Sequence, residues 1–323
     1  MVSLVTGGAG FLGSHLSNAL VRDGDEVVII DNLSTGQVRN LERALSSGRA
    51  TFVHADVAQP YPALAEIVAR ATKRRIDRIY HLASPASPEA YGAEPWATLA
   101  VNGLGTMSLI ELALAHRSRL LFASTSEIYG DPLVHPQPET YFGNVDPIGP
   151  RSCYDEGKRF GEAAIAAAVR SRRLDGRIVR FFNCYGPSMS EADGRLIPQL
   201  VDAIRKNQPF PIHGTGKQTR SMTYVTDAIS LARIVMERMQ LTLQPVNVGN
   251  DDERSVEDIA RTLANVASVE YEAEYLPARE QDPQRRCPDL TVARRLGWSP
   301  STSLEDGLRE TYRWFCEDRL AYA

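Results

Sequence analysis

Cysteine is scarce: only Cys153, Cys184, Cys287 and Cys316 occur in 323 residues, and no two form a C-x-x-C pair. That scatter excludes a disulfide framework and a zinc ribbon, and it reads as reduced thiols in a cytoplasmic protein. Excess positive charge is also missing, since 36 Lys+Arg against 40 Asp+Glu leave a formal charge of −4. A protein whose main task is gripping nucleic acid would need more cations to neutralise phosphates. No internal repeat or low-complexity linker is present. Between Met1 and Arg22 there is no charged side chain, yet Gly7, Gly8, Gly10 and Gly13 interrupt the apolar run and no basic residue precedes it. A signal peptide would show the opposite pattern, so this stretch is expected to be a folded element. With 43% hydrophobic and 24% charged residues the composition is that of an ordinary globular chain, with no membrane span expected.

Strand-like and helix-like segments alternate through the first half. Val2–Thr6, Val27–Ile30, Thr51–Val53, Arg78–Leu82 and Arg119–Ser124 are short apolar runs. Helical periodicity fills Phe11–Val21, Tyr61–Thr72 and Trp96–Arg117 between them. Parallel strands joined by crossover helices follow, so the fold class is α/β, a doubly wound parallel sheet of Rossmann-like type. A turn-rich segment at Gly130–Pro150 precedes a helix at Tyr154–Arg170 and a strand at Arg177–Phe182. Beyond Gly186 the pattern turns irregular, with helices near Leu196–Lys206 and Val256–Val266 and a strand at Val246–Val248. Two lobes packed as one unit are expected: a dinucleotide-binding domain at 1–185 and a smaller C-terminal substrate-binding lobe at 186–323.

Gly7, Gly10 and Gly13 stand at positions one, four and seven of a loop that follows a strand and opens a helix. The first permits a tight turn, the second lets a pyrophosphate approach the backbone, and the third lets helix and strand pack closely. The phosphate charge then meets the helix N-terminus at Phe11 and Leu12. Asp31 ends the second strand, 18 residues after Gly13. Its carboxylate accepts ribose hydroxyls and repels a 2′-phosphate, which favours NAD over NADP. Asn32 follows it, and Asp56-Val57 after the third strand supports the same nucleotide pattern. Glycine-rich turns also serve plain strand-to-helix connections, but here context and spacing agree.

Tyr154 and Lys158 are four residues apart, hence on one helix face. A lysine there stabilises phenolate, and the phenolate removes an alcohol proton while hydride leaves for a nicotinamide. The same spacing arises by chance on solvated helices. A hydroxyl-rich strand end, Ser124-Thr125-Ser126-Glu127, lies upstream at the sheet edge where open α/β sheets bind ligands.

Together these residues resemble the extended short-chain dehydrogenase/reductase superfamily. Two longer strings, the second in two parts of one run from Ser124 to Lys158, are similar to the UDP-glucuronic acid decarboxylase (UDP-xylose synthase) family. They are Leu82-Ala83-Ser84-Pro85-Ala86-Ser87-Pro88-Glu89-Ala90-Tyr91, the run from Ser124 to Pro132, and Gly149-Pro150-Arg151-Ser152-Cys153-Tyr154-Asp155-Glu156-Gly157-Lys158. Gln218-Thr219-Arg220 and Asp282-Pro283-Gln284-Arg285-Arg286 extend the match. The resemblance implies NAD as cofactor and UDP-glucuronic acid as substrate. Oxidation at C4 would make a β-keto acid that loses carbon dioxide, and hydride return would give UDP-xylose. It implies Tyr154 as base, Lys158 tuning it, Thr125 holding the C4 oxygen, and Ser126 and Glu127 acting near C5. Leu82, Ala83 and Ser84 would line the cofactor, while Ser87 and Tyr91 would touch substrate. Arg220 would donate the C5 proton or bind phosphate, and Asn183, Arg220 and Arg286 would contact the diphosphate. Arg195, Lys206, Lys217 and Arg285 add positive charge to the same lobe.

Three positions depart from the family pattern: Ser188 for an arginine, His213 for a tyrosine and Cys287 for a lysine. From these, some 4-keto-pentose product is expected to escape before reduction. A sugar-nucleotide 4-epimerase or 4,6-dehydratase is the nearest alternative. Glu127 argues against the epimerase, and Ser126 in place of an aspartate argues against the dehydratase. A non-catalytic NAD-binding scaffold is the other, against which both Tyr154 and Lys158 are retained. The resemblance further implies a homodimer formed through the helices Trp96–Arg117 and Phe160–Arg170.

Overall fold

The structure, a computed structural model, describes residues 1–238, 241, 243–279 and 283–316. In chain order the first elements are β1 (Val2–Thr6), α1 (Phe11–Arg22), β2 (Glu26–Asp31), α2 (Glu42–Ser46), β3 (Ala50–His54), α3 (Tyr61–Ala71) and β4 (Arg78–His81). Then come α4 (Pro88–Ala93), α5 (Pro95–Ala100), α6 (Thr106–His116), β5 (Arg119–Thr125), α7 (Ser152–Arg172) and β6 (Asp175–Phe181). The remainder holds β7 (Cys184–Tyr185), α8 (Leu196–Arg205), β8 (Phe210–His213), β9 (Thr219–Ser221), β10 (Thr223–Tyr224), α9 (Val225–Glu237) and β11 (Val246–Val248). It closes with β12 (Glu253–Ser255), α10 (Val256–Ala267), β13 (Ala273–Leu276), β14 (Arg285–Arg286), α11 (Thr291–Arg295) and α12 (Leu304–Cys316).

Seven strands form one sheet in the order β11-β6-β5-β4-β1-β2-β3. The β1–β2, β2–β3, β1–β4 and β4–β5 pairings are all parallel. The doubly wound sheet is therefore as expected. Every residue of β1 is buried, and so is each of Val27, Val28, Ile29 and Ile30 on β2, because helices cover both faces. From β1 the order runs to β2 and β3 on one side and to β4, β5 and β6 on the other. The crevice between β1 and β4 is thus the switch point where such sheets bind ligands.

The chain divides into two compact units. Unit 1 comprises Met1–Thr125, Asp146–Arg180 and Ala232–Val246, and unit 2 comprises Ser126–Val145, Phe181–Leu231 and the chain from Asn247 onward. A single cut at 185/186 does not describe this division. The turn-rich segment after β5 belongs with the C-terminal residues, and the end of α9 returns to unit 1. Unit 2 holds three small sheets, β12-β9-β14, β13-β8 and β10-β7. Their strands are two to four residues long, too short to stand out in the hydropathy pattern.

The helix expected at Trp96–Arg117 is helical as far as His116, with Arg117 a left-handed cap, but it is not uniform. A π-turn at Val101–Gly105 separates α5 from α6. There Asn102, fully buried, donates from Nδ2 to Ser84 Oγ at 3.0 Å and to the Thr98 carbonyl at 2.9 Å. The extra backbone residue brings that amide to the end of β4, a frequent use of π-bulges. Among the described residues the run Pro95–His116 is the one stretch long and apolar enough to cross a membrane. Half of its apolar window is buried inside the protein.

α7 carries Tyr154, Lys158, Gly161, Ile165 and Ala168 on its buried face, the four-three spacing of a helix lying on a sheet. A Cβ at Gly161 would come within 2.2 Å of Phe122 Cζ, a ring that is itself fully buried on β5. Glycine here sets how closely α7 approaches β5. We predict that Gly161→Ala destabilises the protein by about 1–3 kcal/mol through overpacking. The check is a lowered midpoint in equilibrium urea unfolding, with an unchanged slope.

Candidate active site

In unit 1 the glycine loop closes the gap between β1 and α1. Gly7 has φ +71°, and a Cβ on it would meet the Ala83 nitrogen at 2.6 Å, so the loop leans directly on the residues after β4. A Cβ on Gly13 would lie 2.1 Å from the Gly7 carbonyl oxygen, which leaves only hydrogen at that position. Gly10 caps α1 without any side-chain hydrogen bond. The first-turn N–H groups from Phe11 to Gly13 therefore remain available to an anion. This cradle fits the pyrophosphate of a dinucleotide.

Asp31 is buried at the end of β2, and its carboxylate accepts N–H groups from Ala9 at 2.9 Å and Leu33 at 2.8 Å. Burial raises its pKa, and the hydrogen bonds from Leu33, Ala9 and Gly10 oppose the rise. Each carboxylate oxygen keeps a lone pair for a ribose hydroxyl. Asn32 donates to Asp56 Oδ2 at 3.2 Å, and Asp56 accepts the Ala58 N–H at 2.8 Å. Val57 is a core residue packed against Gly105. Leu82 N–H donates to the Thr6 carbonyl at 3.1 Å, which keeps Leu82, Ala83 and Ser84 beside the glycine loop.

Tyr154 and Lys158 occupy successive turns of α7 and are both buried, at 6% and 3% exposure. Lys158 Nζ donates to the Ala123 carbonyl at 2.8 Å, on β5 two residues before Thr125. It lies 5.1 Å from the Phe122 ring centroid and 5.7 Å from that of Tyr154. Burial pushes its pKa down to about 7. Glu162, one turn further on α7, accepts the Ser124 hydroxyl at 2.6 Å and a bidentate fork from Arg180 at 2.9 and 2.7 Å. α7 is thus stitched to the end of β5 by one contact to Ala123 and another to Ser124, and Thr125 emerges from that clamp. The sequence reading missed Glu162 and Arg180. Their signal was the repeat of four in Tyr154, Lys158 and Glu162, which puts all three on one face.

The Tyr91 ring stacks on that of Tyr154 with centroids 5.0 Å apart and planes 8° from parallel, and only 2% of Tyr91 is exposed. Tyr91 is a packing platform for the Tyr154 ring. Ser87 is the N-cap of α4, its hydroxyl oxygen accepting the Ala90 N–H at 3.4 Å. His81 sits behind the site between the Thr6 and Thr106 hydroxyls, and burial holds it neutral with a pKa near 3.

In unit 2 the expected site residues are largely bound to one another or to backbone. Glu127 accepts a bidentate fork from Arg286 at 2.5 and 3.0 Å, with side-chain exposures of 14% and 6%. Arg220 donates to the carbonyls of Thr219 at 2.7 Å and Pro283 at 2.9 Å. Asn183 Oδ1 is buried without a hydrogen-bond partner among the described residues. Ser126 is buried at the start of the segment that carries Glu127. The basic patch expected in this lobe is mostly self-paired: Arg195 with Asp193, Lys206 with Asp202 at 2.6 Å, and Arg285 with Glu253 at 3.6 Å. Ser188 has φ +68°, His213 Nδ1 lies 3.2 Å from the Pro277 carbonyl, and Cys287 is buried. Asp282 lies outside the described residues.

Residues 4–311 match the family model described as GDP-mannose 4,6 dehydratase. The chain is 41% identical over 314 residues to UDP-glucuronic acid decarboxylase 1 of Xenopus tropicalis, covering 97% of this chain and 71% of that one. It is 42% identical over 306 residues to UDP-glucuronic acid decarboxylase 1 of Arabidopsis thaliana, with coverages of 94% and 67%. Among solved structures it is similar to a Thermotoga maritima UDP-glucose 4-epimerase with UDP-glucose, at TM-score 0.88, 28% identity and full coverage of both chains. A Streptomyces venezuelae dTDP-glucose 4,6-dehydratase with NAD bound gives TM-score 0.88 and 27% identity over 99% of this chain and 98% of that one.

The buried lysine makes a prediction for the protein without ligands. Its folded pKa of about 7 lies below the 10.5 of the free side chain, so between these values the unfolded chain binds the extra proton. Stability contributed at this position therefore rises with pH across that window. We expect Lys158→Met to flatten the rise and to be at least as stable as the parent near neutrality. Urea midpoints measured from pH 7 to 10 would show it, and an unaltered slope would contradict it.

Proposed function

Because this chain belongs to the UDP-glucuronic acid decarboxylase family, we propose that it decarboxylates UDP-glucuronic acid with NAD, giving UDP-xylose. The observation that carries this reading is α7 anchored on the end of β5, with Lys158 buried beside Tyr154 in the unit that also holds the dinucleotide loop. Bound NAD supplies a reversible hydride acceptor. The loop from Gly7 to Gly13 would hold its pyrophosphate, Asp31 its adenosine ribose, and Lys158 the nicotinamide ribose.

Tyr154, as phenolate, takes the C4 hydroxyl proton as hydride leaves C4. The Lys158 ammonium beside it stabilises that phenolate, and the Thr125 hydroxyl fixes the C4 oxygen by a hydrogen bond. The C4 ketone makes the sugar a β-keto acid. The bond from C5 to the carboxylate then breaks, carbon dioxide leaves, and the electron pair moves into an enolate. The resemblance put Arg286 at the diphosphate. Because its guanidinium is forked on Glu127, it is read here with Ser126 and Glu127 at the carboxylate and C5. There this group of residues returns a proton to C5, and the enolate becomes the C4 ketone again. Return of hydride to C4 and of the proton from Tyr154 completes UDP-xylose. Asn183 and Arg220 are read as diphosphate contacts, a role supported by the orphan Asn183 oxygen. Part of the 4-keto-pentose escaping before reduction is the reading of Ser188, His213 and Cys287.

A homodimer fits the exposed apolar side chains of Trp96, Leu99, Leu104, Met107 and Phe160 on the α5–α6 run and α7, with Trp96 82% exposed. We read the run as a subunit interface and not a membrane span, and the four free cysteines suit a reducing cytoplasm.

The test is release of carbon dioxide from UDP-glucuronate with NAD, run beside UDP-glucose. We expect release from the uronate alone, and no release would sink the assignment. Tyr154→Phe should lower kcat by about 10²–10⁴-fold with KM little changed. For association, sedimentation should show a dimer that Trp96→Glu converts to monomer. A parent protein that sediments as a monomer would refute the interface.

A further inference from the structure

Arg286 and Glu127 are 159 residues apart in sequence, yet they meet as a bidentate pair inside unit 2. Such a fork requires two planar groups in register, and a small displacement forfeits one of its bonds. The strand bearing Arg286 does little to hold itself, since β14 is two residues long and pairs along one edge with β9, Arg285 opposite Thr219 and Arg286 opposite Arg220. Just past its end the chain is held by Gln137, which forms an isolated parallel bridge with Pro288.

Gln137 is fully buried. Its backbone N–H donates to the Cys287 carbonyl at 2.9 Å, and its carbonyl accepts the Asp289 N–H at 2.9 Å. Its side-chain Oε1 accepts the Cys287 N–H, also at 2.9 Å. Both backbone groups of the residue after Arg286 are therefore taken by one glutamine. Gln137 Nε2 donates to the Val134 carbonyl at 2.8 Å, which settles which way the amide points. Asn247, fully buried too, ties this clamp to the other half of the pair. Its Nδ2 donates to the Gln137 carbonyl at 2.9 Å, and its Oδ1 accepts the hydroxyl of Tyr129 at 2.8 Å. Tyr129 lies two residues beyond Glu127. A closed circuit thus runs from Glu127 through Tyr129, Asn247, Gln137 and Cys287 to Arg286.

We propose that Gln137 is a positioning residue that sets the Arg286 guanidinium against Glu127, and so governs the step at C5 and the commitment of the keto intermediate to reduction. This rests on the decarboxylase reading above and adds to it a residue with no contact to substrate of its own. The predicted consequence of loosening the clamp is specific. Substrate binding stays, the chemical step slows, and more of the flux ends as ketone.

The test is Gln137→Leu, which keeps the volume and removes the acceptor for Cys287. Turnover is normalised to bound NAD so that loss of folded protein does not enter. We expect kcat to fall about 10–100-fold with KM for UDP-glucuronate within about twofold, and the ratio of 4-keto-pentose with NADH to UDP-xylose to rise. Leu64→Ala, a core truncation in unit 1, serves as a destabilised control and should leave that ratio unchanged. If Gln137→Leu does not fold, Gln137→Asn carries the same expectation, because it shortens the reach of the acceptor by one methylene. A folded variant with parental kcat and product ratio overturns the proposal, as does a ratio that shifts equally in the Leu64→Ala control. Absence of carbon dioxide release by the parent protein is a separate outcome, which defeats the decarboxylase reading itself.

Discussion

A lysine ammonium buried against the end of a β-strand organises the site in unit 1. Lys158 gives its hydrogen bond to the Ala123 carbonyl, and the dry surroundings of Phe122 and Tyr154 push its pKa down to about 7. A buried polar group of this kind is costly unless it meets a partner, so the helix that carries it is not free to slide or rotate. Gly161 fixes how near α7 comes to β5, and Glu162 with Ser124 and Arg180 fixes its register along the strand. Tyr154 inherits its place from these contacts. Flat stacking of Tyr91 on its ring then limits how the phenol can tilt.

Unit 2 follows a different logic. Its short strands bury little apolar surface each, and its expected catalytic groups are locked by polar contacts: a guanidinium fork on Glu127, and backbone carbonyls around Arg220. Fully satisfied polar networks of this sort specify one arrangement, because any shift leaves a buried donor or acceptor without a partner. Gln137 and Asn247 each make several bonds in that network, and neither is ionisable. The charged pair of Glu127 and Arg286 is thus linked through hydrogen bonds to neutral buried amides.

Much of unit 1 was legible because its signals are local. The β-branched runs of β1 and β2, the spacing of Gly7, Gly10 and Gly13, and Asp31 at the strand end each depend on neighbours in the chain. Tyr154 and Lys158 were visible for the same reason, being one helical turn apart. The π-turn at Val101–Gly105 was not, since nothing in an apolar helical run announces an extra residue per turn. The division of the chain was also hidden. Ser126–Val145 sits with the C-terminal half because Gln137 pairs with Cys287 and Tyr129 with Asn247, contacts with no periodicity to reveal them.

The amino-acid order by itself determined the parallel sheet, the dinucleotide loop at its first turn, and the pairing of Tyr154 with Lys158 on one helix face. These follow from side-chain period, backbone freedom at glycine and helical spacing, all of which act within a few residues. Only the tertiary structure decided that Arg286 holds Glu127, that Glu162 clamps the strand bearing Thr125, and that Tyr91 lies flat on Tyr154. Those pairings join residues 38 to 159 positions apart. They exist only once burial has removed water as the competing partner.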